Sequence, residues 1–256
     1  MFFTLSLLVT TSKPCDIYKA AGTPCVAAHS TVRALSDSFH GPLYEIMSMK
    51  NGTTTLIHTL SPGGLADAAA QDAFCGAAAC TISRILDQSG NANHLSTAPG
   101  GGAHGAADNG VNATALKIAL GSHNVYGVYS EHGSGPGRAH SGTGYRCDKT
   151  TGIAKGDEPE TIYMVTAGKR FNSGCCFDYG NAETDNHADG AGSMEAVYFG
   201  NASAPGWSKG VGQGPWVMAD LESGVWAGNV VPVTESNTPV VRVFIYRHEQ
   251  PVLIQF

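Results

Sequence analysis

The chain has 256 residues, enough to bury one sizeable hydrophobic core. Its net charge is −6 and its 15 lysines and arginines are scattered, which argues against a nucleic-acid-binding protein. Only 14% of the residues are charged and 33 are glycine, a composition typical of a turn-rich extracellular β protein. Nowhere does the sequence approach 18 consecutive apolar residues, so we expect no membrane-spanning segment.

The beginning of the chain is similar to the apolar part of a secretory signal peptide. Met1–Thr10 is a short apolar stretch without a basic residue ahead of it. We therefore expect a truncated signal peptide over residues 1–13, with a buried first strand as the alternative. Three acceptor sequons for N-linked glycans, at Asn51, Asn112 and Asn201, point to the same compartment. Together with the cysteines they predict a secreted, extracellular glycoprotein.

Along the chain, one alanine-rich segment predicts a helix, and most other segments predict strands bounded by glycine. The helix covers Gly64–Phe74. Two glycine-rich reaches of low complexity, Pro99–Gly110 and Ser130–Gly144, are expected to be surface loops. Short strands between glycine turns predict an all-β fold of two packed antiparallel sheets, a β-sandwich. The predicted strands include Thr81–Leu86, Thr161–Thr166, Glu195–Phe199 and Trp216–Glu222.

The last of these strands has the residue pattern that most directly indicates a function. Side chains alternate across a strand, so one face collects Trp216, Met218, Asp220 and Glu222. The other face is wholly apolar and is expected to pack on a second sheet. An indole and two carboxylates on one face suit a sugar cleft, because retaining glycoside hydrolysis needs one carboxylate to attack and another, about 5–5.5 Å away, to transfer the proton. A solvent-facing edge with incidental acids fits the same pattern equally well.

The seven cysteines include one adjacent pair, Cys175 and Cys176. A disulfide between neighbours closes an eight-membered ring and twists the peptide bond, a strained arrangement that costs roughly 1–4 kcal/mol and clusters at binding sites. The alternative is that each pairs with a distant partner. Spacing alone does not determine the connectivity, but two other pairs are close enough to close small loops and would leave one odd thiol. These cysteines are Cys15/Cys25, Cys75/Cys80 and Cys147.

The patterns that would indicate a cofactor or a metal are absent. Gly210–Gly214 lacks the strand–turn–helix context of a dinucleotide fingerprint, and no Gly-Lys-Ser/Thr occurs for a phosphate loop. No Cys-x-x-Cys with a matching histidine pair is present. The ten histidines show no ligand spacing, and those of the loops (His104, His132 and His140) are interpreted as solvated. We therefore expect neither a metal nor an organic cofactor.

Seven motifs are specific enough to compare with known families. The most specific is Cys-Cys-Phe-Asp-Tyr-Gly-Asn-Ala-Glu at residues 175–183. The other six are Pro14–Tyr18, Thr23–Thr31, Asp87–Asn91, Gly142–Arg146, Met194–Asn201 and Gly214–Glu222. In this order the motifs resemble the catalytic domain of glycoside hydrolase family 54, the fungal α-L-arabinofuranosidases of the B type. The resemblance covers residues 14–229, most of the chain.

The resemblance implies a β-sandwich of jelly-roll, concanavalin-like type that removes terminal L-arabinofuranose from arabinoxylan and arabinan with retention. It implies that Glu222 is the nucleophile and that Asp220 binds sugar hydroxyls. It further implies that a Cys175–Cys176 disulfide forms an apolar wall against the furanose and that Trp207 borders the pocket. The remaining disulfides implied by the resemblance are Cys15–Cys25 and Cys75–Cys80.

The departures from the family pattern matter as much. Ser223 and Gly224 stand where the family commonly has asparagines that contact sugar, and Cys147 replaces a non-cysteine position. Residues 230–256 do not resemble the family, and neither its Gly-Gly-Asp stretch with the acid/base aspartate nor its arabinose-binding trefoil occurs. We therefore expect an incomplete catalytic domain with a C-terminal tail, slowed by about 10²–10⁴ without general acid assistance. Another carboxylate could replace the missing acid/base aspartate. The candidates are Asp178, Glu183 and Glu195, and the sequence gives no reason to prefer one of them.

Two functional classes remain open. The first is a retaining, exo-acting arabinofuranosidase that uses Glu222, and the second is a non-catalytic secreted arabinose-binding module. A vicinal-dithiol redox protein is a weaker third, because no helix N-terminus precedes Cys175, although Lys169 and Arg170 are near in sequence. For the first two classes the partner is an arabinose-containing plant cell-wall polysaccharide, with no nucleic acid and no membrane. We expect a monomer.

Overall fold

The structure is a computed structural model that describes residues 12–100, 107–130, 142–155, 158–166, 177–181, 195–200, 216–221 and 252–253. Within these residues it has two short helices and twelve strands, and every strand pair is antiparallel. The predicted all-β class is confirmed, and the sheets are consistent with a β-sandwich. The elements are α1 (Pro14–Ala20), β1 (Pro42–Ser48), β2 (Thr54–His58), α2 (Ala68–Cys75), β3 (Cys80–Ile85), β4 (Leu95–Thr97), β5 (Lys117–Leu120), β6 (His123–Tyr126), β7 (Tyr145–Arg146), β8 (Val165–Thr166), β9 (Phe177–Gly180), β10 (Glu195–Gly200), β11 (Trp216–Leu221) and β12 (Val252–Leu253).

The predicted alanine-rich helix is present as α2, but it begins four residues later than expected. Asp67 caps it by accepting a hydrogen bond from the Ala70 N–H at 3.0 Å. The preceding residues are held in extended conformation, since Leu65 and Ala66 form β-bridges with Arg33 and Thr59. Strand pairing thus competes with helix propensity here. The helix α1, which begins with a proline in its first turn, was not predicted from the sequence.

The first of two compact units contains α1, α2 and β1–β7. Its five-stranded sheet has the order β2-β1-β3-β4-β7, and the β5–β6 hairpin packs against the same hydrophobic cluster through Val125 and the partly buried Ile118. Complete burial of an aliphatic side chain contributes about 1.5–3 kcal/mol. The fully buried aliphatic side chains of this core include Leu43, Ile46, Ile57, Ile82, Val111 and Val125.

A buried polar chain ties three elements of this unit together. The Tyr44 hydroxyl donates to Gln71 Oε1 at 2.6 Å, and Gln71 Nε2 donates to the Ala113 carbonyl at 2.7 Å. Gln71 is fully buried, so each of these polar atoms would cost about 1–3 kcal/mol if it lost its partner. Burial raises the pKa of Tyr44, which keeps its hydroxyl protonated as a donor. The contacts fix α2 against β1 and against the segment before β5.

A second polar contact lies where β3 meets the segment around Val111. The Tyr145 hydroxyl accepts from the Val111 N–H and donates to the Ile82 carbonyl, both at 2.8 Å. Burial raises the pKa of Tyr145 to about 12. A Cβ atom on Gly110 would lie 2.4 Å from the Ile82 carbonyl oxygen, so the close approach of the two backbones requires glycine at this position.

The second compact unit contains β8–β12. The strands β11, β10 and β9 form a three-stranded sheet in that order, and β12 pairs with β8. The core of this unit is formed by Met164, Val197 and Phe199, with Ile162 and Tyr179 packed against them. The predicted strand Thr161–Thr166 is shorter than expected, because only its last two residues find pairing partners, on β12.

Much of the predicted terminal segments and loops lies outside the described residues. This applies to residues 1–11 of the predicted signal segment, to residues 101–106 and 131–141 of the two predicted loops, and to most of the predicted tail over 230–256. The described ends of the loops meet, since the Asn109 N–H donates to the Gly142 carbonyl at 2.9 Å.

Both local disulfides implied by the resemblance are present. Cys15 is bonded to Cys25, and Cys75 is bonded to Cys80. Cys147 is partly exposed and forms no disulfide, and its thiol donates to the Lys149 carbonyl at 3.5 Å. Cys175 and Cys176 lie outside the described residues.

Candidate active site

The strand with the predicted sugar-facing carboxylates is β11, which pairs with the central strand β10. Ala196 of β10 lies opposite Asp220 of β11 on one side and opposite Gly180 of β9 on the other. Residues that lie directly opposite each other in an antiparallel pair share a face of the sheet. The row of Asp220, Ala196 and Gly180 therefore belongs to one face. The next row on that face, two residues along each strand, consists of Met218, Tyr198 and Asp178.

The opposite face of this sheet contributes Val197 and Phe199 to the hydrophobic core, and Ala196, in the row of Asp220, is buried as well. Val197 and Phe199 are buried against Met164, and they lie opposite Ala219 and Val217 of β11. The apolar positions of β11 thus share the face of Val197 and Phe199, and Asp220 is on the other face. This agrees with the division of β11 into an apolar and a polar face that alternation predicts.

Of the residues predicted to form the site, only Asp220 lies in a described element. Glu222 follows directly after Leu221, the last residue of β11. The other predicted site residues and one glycosylation sequon lie outside the described residues: Glu222, Cys175, Cys176, Trp207, Ser223, Gly224 and Asn201. Their roles stay predictions.

The sheet register relates the described part of the cysteine motif to the row of Asp220. Phe177, which follows Cys176 directly, lies in register with Phe199 of β10. Gly180 lies three residues further on and shares the row of Ala196 and Asp220. At a rise of about 3.3 Å per residue, the two rows are about 10 Å apart along the strands. Gly180 of the cysteine motif thus lies in the row of Asp220, and Phe177 of the same motif lies about 10 Å from that row along the strand.

The register does distinguish two carboxylates between which the sequence did not choose. Asp178 lies opposite Tyr198, on the face of Asp220, whereas Glu195 lies opposite Leu221, on the core-packed face with Val197. Glu183, the third, lies outside the described residues. Of the two described candidates, Asp178 and not Glu195 therefore shares a sheet face with Asp220.

The C-terminal end of β9 is fastened by a side chain that sequence reasoning did not single out. Asn181 directly follows Gly180, and its Nδ2 donates to the Ala154 carbonyl at 3.2 Å and to Glu160 Oε2 at 3.4 Å. These contacts tie the end of β9 to residues 154–160 beside the row of Asp220. Asn181 belongs to the Asn-Ala-Glu end of the cysteine motif. Its contacts could not be predicted from the sequence, because they are made with a segment about 20 residues earlier.

A second cluster of polar residues is built around Asp87 in the first compact unit. Asp87 Oδ1 accepts from the Ala28 N–H at 2.8 Å, and Oδ2 accepts from the Ser89 hydroxyl at 2.7 Å and the Asn93 N–H at 3.0 Å. Asn93 Nδ2 donates in turn to the Thr151 carbonyl at 2.9 Å. Asp87 and Asn93 thus join their own turn to two distant segments, at Ala28 and at Thr151, by hydrogen bonds to backbone groups, which is a structural role.

The described residues contain no metal-binding constellation: no three or more His, Cys, Asp or Glu side chains among them are grouped so that they could hold an ion. In the same part of the chain, no helix has the length and apolar character needed to cross a membrane.

Comparisons with known proteins identify related sequences and structures. Residues 14–250 match the family model described as "Alpha-L-arabinofuranosidase B, catalytic". Alpha-L-arabinofuranosidase B of Emericella nidulans is 50% identical over 219 residues, which cover 84% of this chain and 41% of that protein. Alpha-L-arabinofuranosidase B of Aspergillus niger is 48% identical over 229 residues, covering 88% of this chain and 44% of that protein. The chain spans less than half the length of these relatives.

Two solved structures resemble the chain at the level of the fold. A GH54 α-L-arabinofuranosidase soaked with a cyclic sulfate inhibitor superposes with a TM-score of 0.74 at 48% identity. An arabinofuranosidase complexed with arabinofuranosyl-α-1,2-xylobiose superposes with a TM-score of 0.73 at 49% identity. Both matches cover 82% of this chain and 42% of the solved chain.

Proposed function

Because this chain belongs to the family of the α-L-arabinofuranosidase B catalytic domain, glycoside hydrolase family 54, we propose that it serves as a secreted, retaining, exo-acting α-L-arabinofuranosidase. The substrate is an arabinose-containing plant cell-wall polysaccharide, arabinoxylan or arabinan, from which terminal L-arabinofuranose is released. The observation that carries the proposal is the register of β11, which sets Asp220 on the sheet face opposite Val197 and Phe199, one residue before the end of the strand and two before Glu222.

The proposed reaction has two steps. A carboxylate oxygen of Glu222 bonds to the anomeric carbon, and the bond from that carbon to the leaving oxygen breaks, the oxygen departing with the electron pair. Water then attacks the same carbon, gives up a proton, and releases the Glu222 carboxylate, so that the configuration is retained. Asp220 accepts hydrogen bonds from sugar hydroxyls. The Cys175–Cys176 disulfide and Trp207 provide apolar surface for the ring, and Ser223 and Gly224 border it.

The departing oxygen needs a proton, and the source of that proton governs the expected rates. The sequence of 256 residues contains no Gly-Gly-Asp stretch of the kind that carries the acid/base aspartate in the family. A polypeptide of these residues alone is therefore expected to turn over more slowly by about 10²–10⁴. The decrease in rate is expected to be small for a nitrophenyl leaving group, because nitrophenolate departs without protonation. It is expected to be large for a xylose hydroxyl, because that oxygen needs a proton in order to leave.

The test compares two matched carboxamide variants. We expect Glu222→Gln to lower the hydrolysis of 4-nitrophenyl α-L-arabinofuranoside by more than about 10³-fold, because it removes the nucleophile. Glu195→Gln makes the same chemical change on the core-packed face of the neighbouring strand, and we expect it to stay within about twofold of the unchanged protein. Initial rates of nitrophenol release by all three proteins, with circular dichroism to verify folding, provide the measurement.

The outcomes separate the enzyme from the arabinose-binding module. Hydrolysis that is lost only in Glu222→Gln supports the enzyme. A folded protein without hydrolysis that binds arabinofuranosyl oligosaccharides by calorimetry supports the module and contradicts the enzyme. Equal hydrolysis by the Glu222→Gln variant would show that Glu222 is not the nucleophile.

The proposed compartment and assembly state have their own support. Oxidised Cys15–Cys25 and Cys75–Cys80 fit an extracellular protein, and the sequons at Asn51 and Asn112 are exposed. We propose secretion with glycans on Asn51, Asn112 and Asn201, and a monomeric state. Size-exclusion chromatography with light scattering of the secreted protein, and mass spectrometry of its glycopeptides, test these points.

A further inference from the structure

An open cleft of about 410 Å³ lies beside Asn51 on the first compact unit. One wall is the turn between β1 and β2, which contributes Lys50, Asn51 and Thr53. The other wall is the end of α2 with the loop that follows it, which contributes Phe74, whose side chain is partly buried against the core, and two small residues, Ala77 and Ala78. The cleft thus combines an aromatic side chain and methyl groups on one side with polar groups on the other.

The two walls are held together by covalent and backbone bonds. The Cys75–Cys80 disulfide closes the loop after α2, and Cys75 itself lines the cleft. The Met49 N–H donates to the Ala79 carbonyl at 2.9 Å, and Ser48 is the register partner of Cys80. Because both walls are fixed in this way, the cleft is formed before any ligand arrives, and little ordering entropy is lost when it is filled.

Asn51 is presented in a defined turn at the rim of the cleft. Its Oδ1 accepts from the Thr53 N–H at 3.2 Å and from the Thr53 hydroxyl at 2.8 Å. Asn112 has the same local arrangement, with Oδ1 accepting from the Thr114 N–H at 2.9 Å and the Thr114 hydroxyl at 3.0 Å. Both asparagines are exposed, but of the two only Asn51 lines the cleft. Asn112 is therefore a matched control.

We propose that this cleft seats the first N-acetylglucosamine of an N-linked glycan on Asn51, an inference that rests on the proposed secretion but not on the hydrolase activity. In the transfer, Asn51 Nδ2 bonds to the anomeric carbon of a lipid-linked oligosaccharide pyrophosphate. The bond from that carbon to the pyrophosphate oxygen breaks, the pyrophosphate leaves with the electron pair, and one amide proton goes to a base. The attached sugar packs its C–H face on Phe74 and the alanines, and its polar groups meet the wall with Lys50 and Thr53.

The packing predicts that the first sugar stabilises the protein without the rest of the glycan. The experiment uses the 256-residue chain secreted from a eukaryotic host, in two forms that each keep one glycan. Asn112→Gln/Asn201→Gln keeps the glycan on Asn51, and Asn51→Gln/Asn201→Gln keeps the glycan on Asn112. Each form is trimmed by an endoglycosidase to a single N-acetylglucosamine, and its Tm is compared with that of the triple variant, in which all three asparagines are Gln.

We expect the single sugar on Asn51 to raise Tm by about 2–4 °C over the triple variant and the single sugar on Asn112 to raise it by less than about 1 °C. Adding Phe74→Leu to both members of the Asn51 comparison is expected to abolish most of that difference, since the contact is then lost. The proposal is overturned if peptide mass spectrometry finds Asn51 unmodified, if trimming to one sugar loses the stabilisation, or if the Asn112 sugar stabilises equally. Hydrolase assays play no part in this test, so its failure is distinct from failure of the proposed activity.

Discussion

At the scale of single residues, Asp87 shows how a buried carboxylate stabilises a fold through hydrogen bonds. Asp87 is 7% exposed, and burial alone would raise its pKa. Hydrogen bonds from the Ser89 hydroxyl and from backbone N–H groups outweigh burial and hold the pKa of Asp87 below its usual range. The charged form is therefore stabilised by folding, and one of its partners, the Ala28 N–H, comes from a segment 59 residues away.

This arrangement predicts a pH-dependent loss of stability on substitution. A carboxyl group whose pKa is lower in the folded state stabilises the fold above its unfolded pKa of about 3.9, and this contribution is lost as pH falls through the folded value. Asp87→Asn replaces one accepting oxygen by an NH2 group that faces other donors. We therefore expect the free energy of unfolding to fall by about 2–4 kcal/mol at pH 7. Below about pH 4 the difference in the free energy of unfolding between Asp87→Asn and the unchanged protein should become smaller.

Urea unfolding between pH 3 and pH 7 provides the measurement for Asp87→Asn. Asp148→Asn is the control, because Asp148 is exposed and its ion pair with Arg146 contributes at most about 1 kcal/mol. A difference between Asp87→Asn and the unchanged protein that does not depend on pH would contradict the assignment of a stabilising charge.

At the scale of elements, the strand register decides which carboxylates share a face with Asp220. Asp178 and Asp220 share one face of the β9–β10–β11 sheet, in rows two residues, or about 7 Å, apart along the strands. Glu195 belongs to the other face, where Val197 and Phe199 are buried.

We therefore predict different effects for two substitutions on neighbouring strands. Asp178→Asn should weaken the binding of an arabinofuranosyl-xylooligosaccharide by about 5–30-fold, because a charged acceptor contributes about 1–2 kcal/mol more than an amide in such a contact. Glu195→Gln should leave the affinity within about twofold. Isothermal titration calorimetry in the Glu222→Gln background, where turnover is blocked, checks both values. Equal weakening by the two substitutions would mean that the register does not govern access to the sugar.

At the scale of the whole molecule, the disulfides add covalent constraint to two short stretches. Cys75–Cys80 links the end of α2 to the start of β3 and is almost fully buried, whereas the partly exposed Cys147 forms no disulfide. Closing so short a loop is expected to contribute about 2 kcal/mol by restricting the unfolded chain. This gain matters for a protein whose net stability is expected to be about 5–15 kcal/mol.

The corresponding prediction concerns thermal stability. The free energy of unfolding of the double variant Cys75→Ser/Cys80→Ser should be lower by about 2–5 kcal/mol. The variant removes the covalent constraint of the disulfide and buries two hydroxyls in a hydrophobic cluster. Cys147→Ser should change stability by less than about 0.5 kcal/mol. Differential scanning calorimetry of the three proteins decides the matter, and equal Tm values for the double variant and the unchanged protein would refute the prediction.

Much of this protein was predictable from short stretches of sequence. The all-β class, the helix at α2, the strands β3, β10 and β11 and the two local disulfides all rest on alternation, glycine turns, alanine content or motif matching, which involve residues close together in the chain. The same holds for the two faces of β11 and for the family. Helix α1 was missed. Helix α2 was placed too early, because Leu65 and Ala66 form β-bridges with Arg33 and Thr59.

What only the tertiary structure decided depends on contacts between distant segments. The face of Asp178 is set by pairing with β10, the role of Asp87 by loops up to 59 residues away, and the cleft beside Asn51 by a turn and a helix end brought together by β1 and β3. Alternation tells which residues of one strand share a face. It does not tell which strand lies beside it or in which register, because that is determined by hydrogen bonds and packing between residues far apart in sequence.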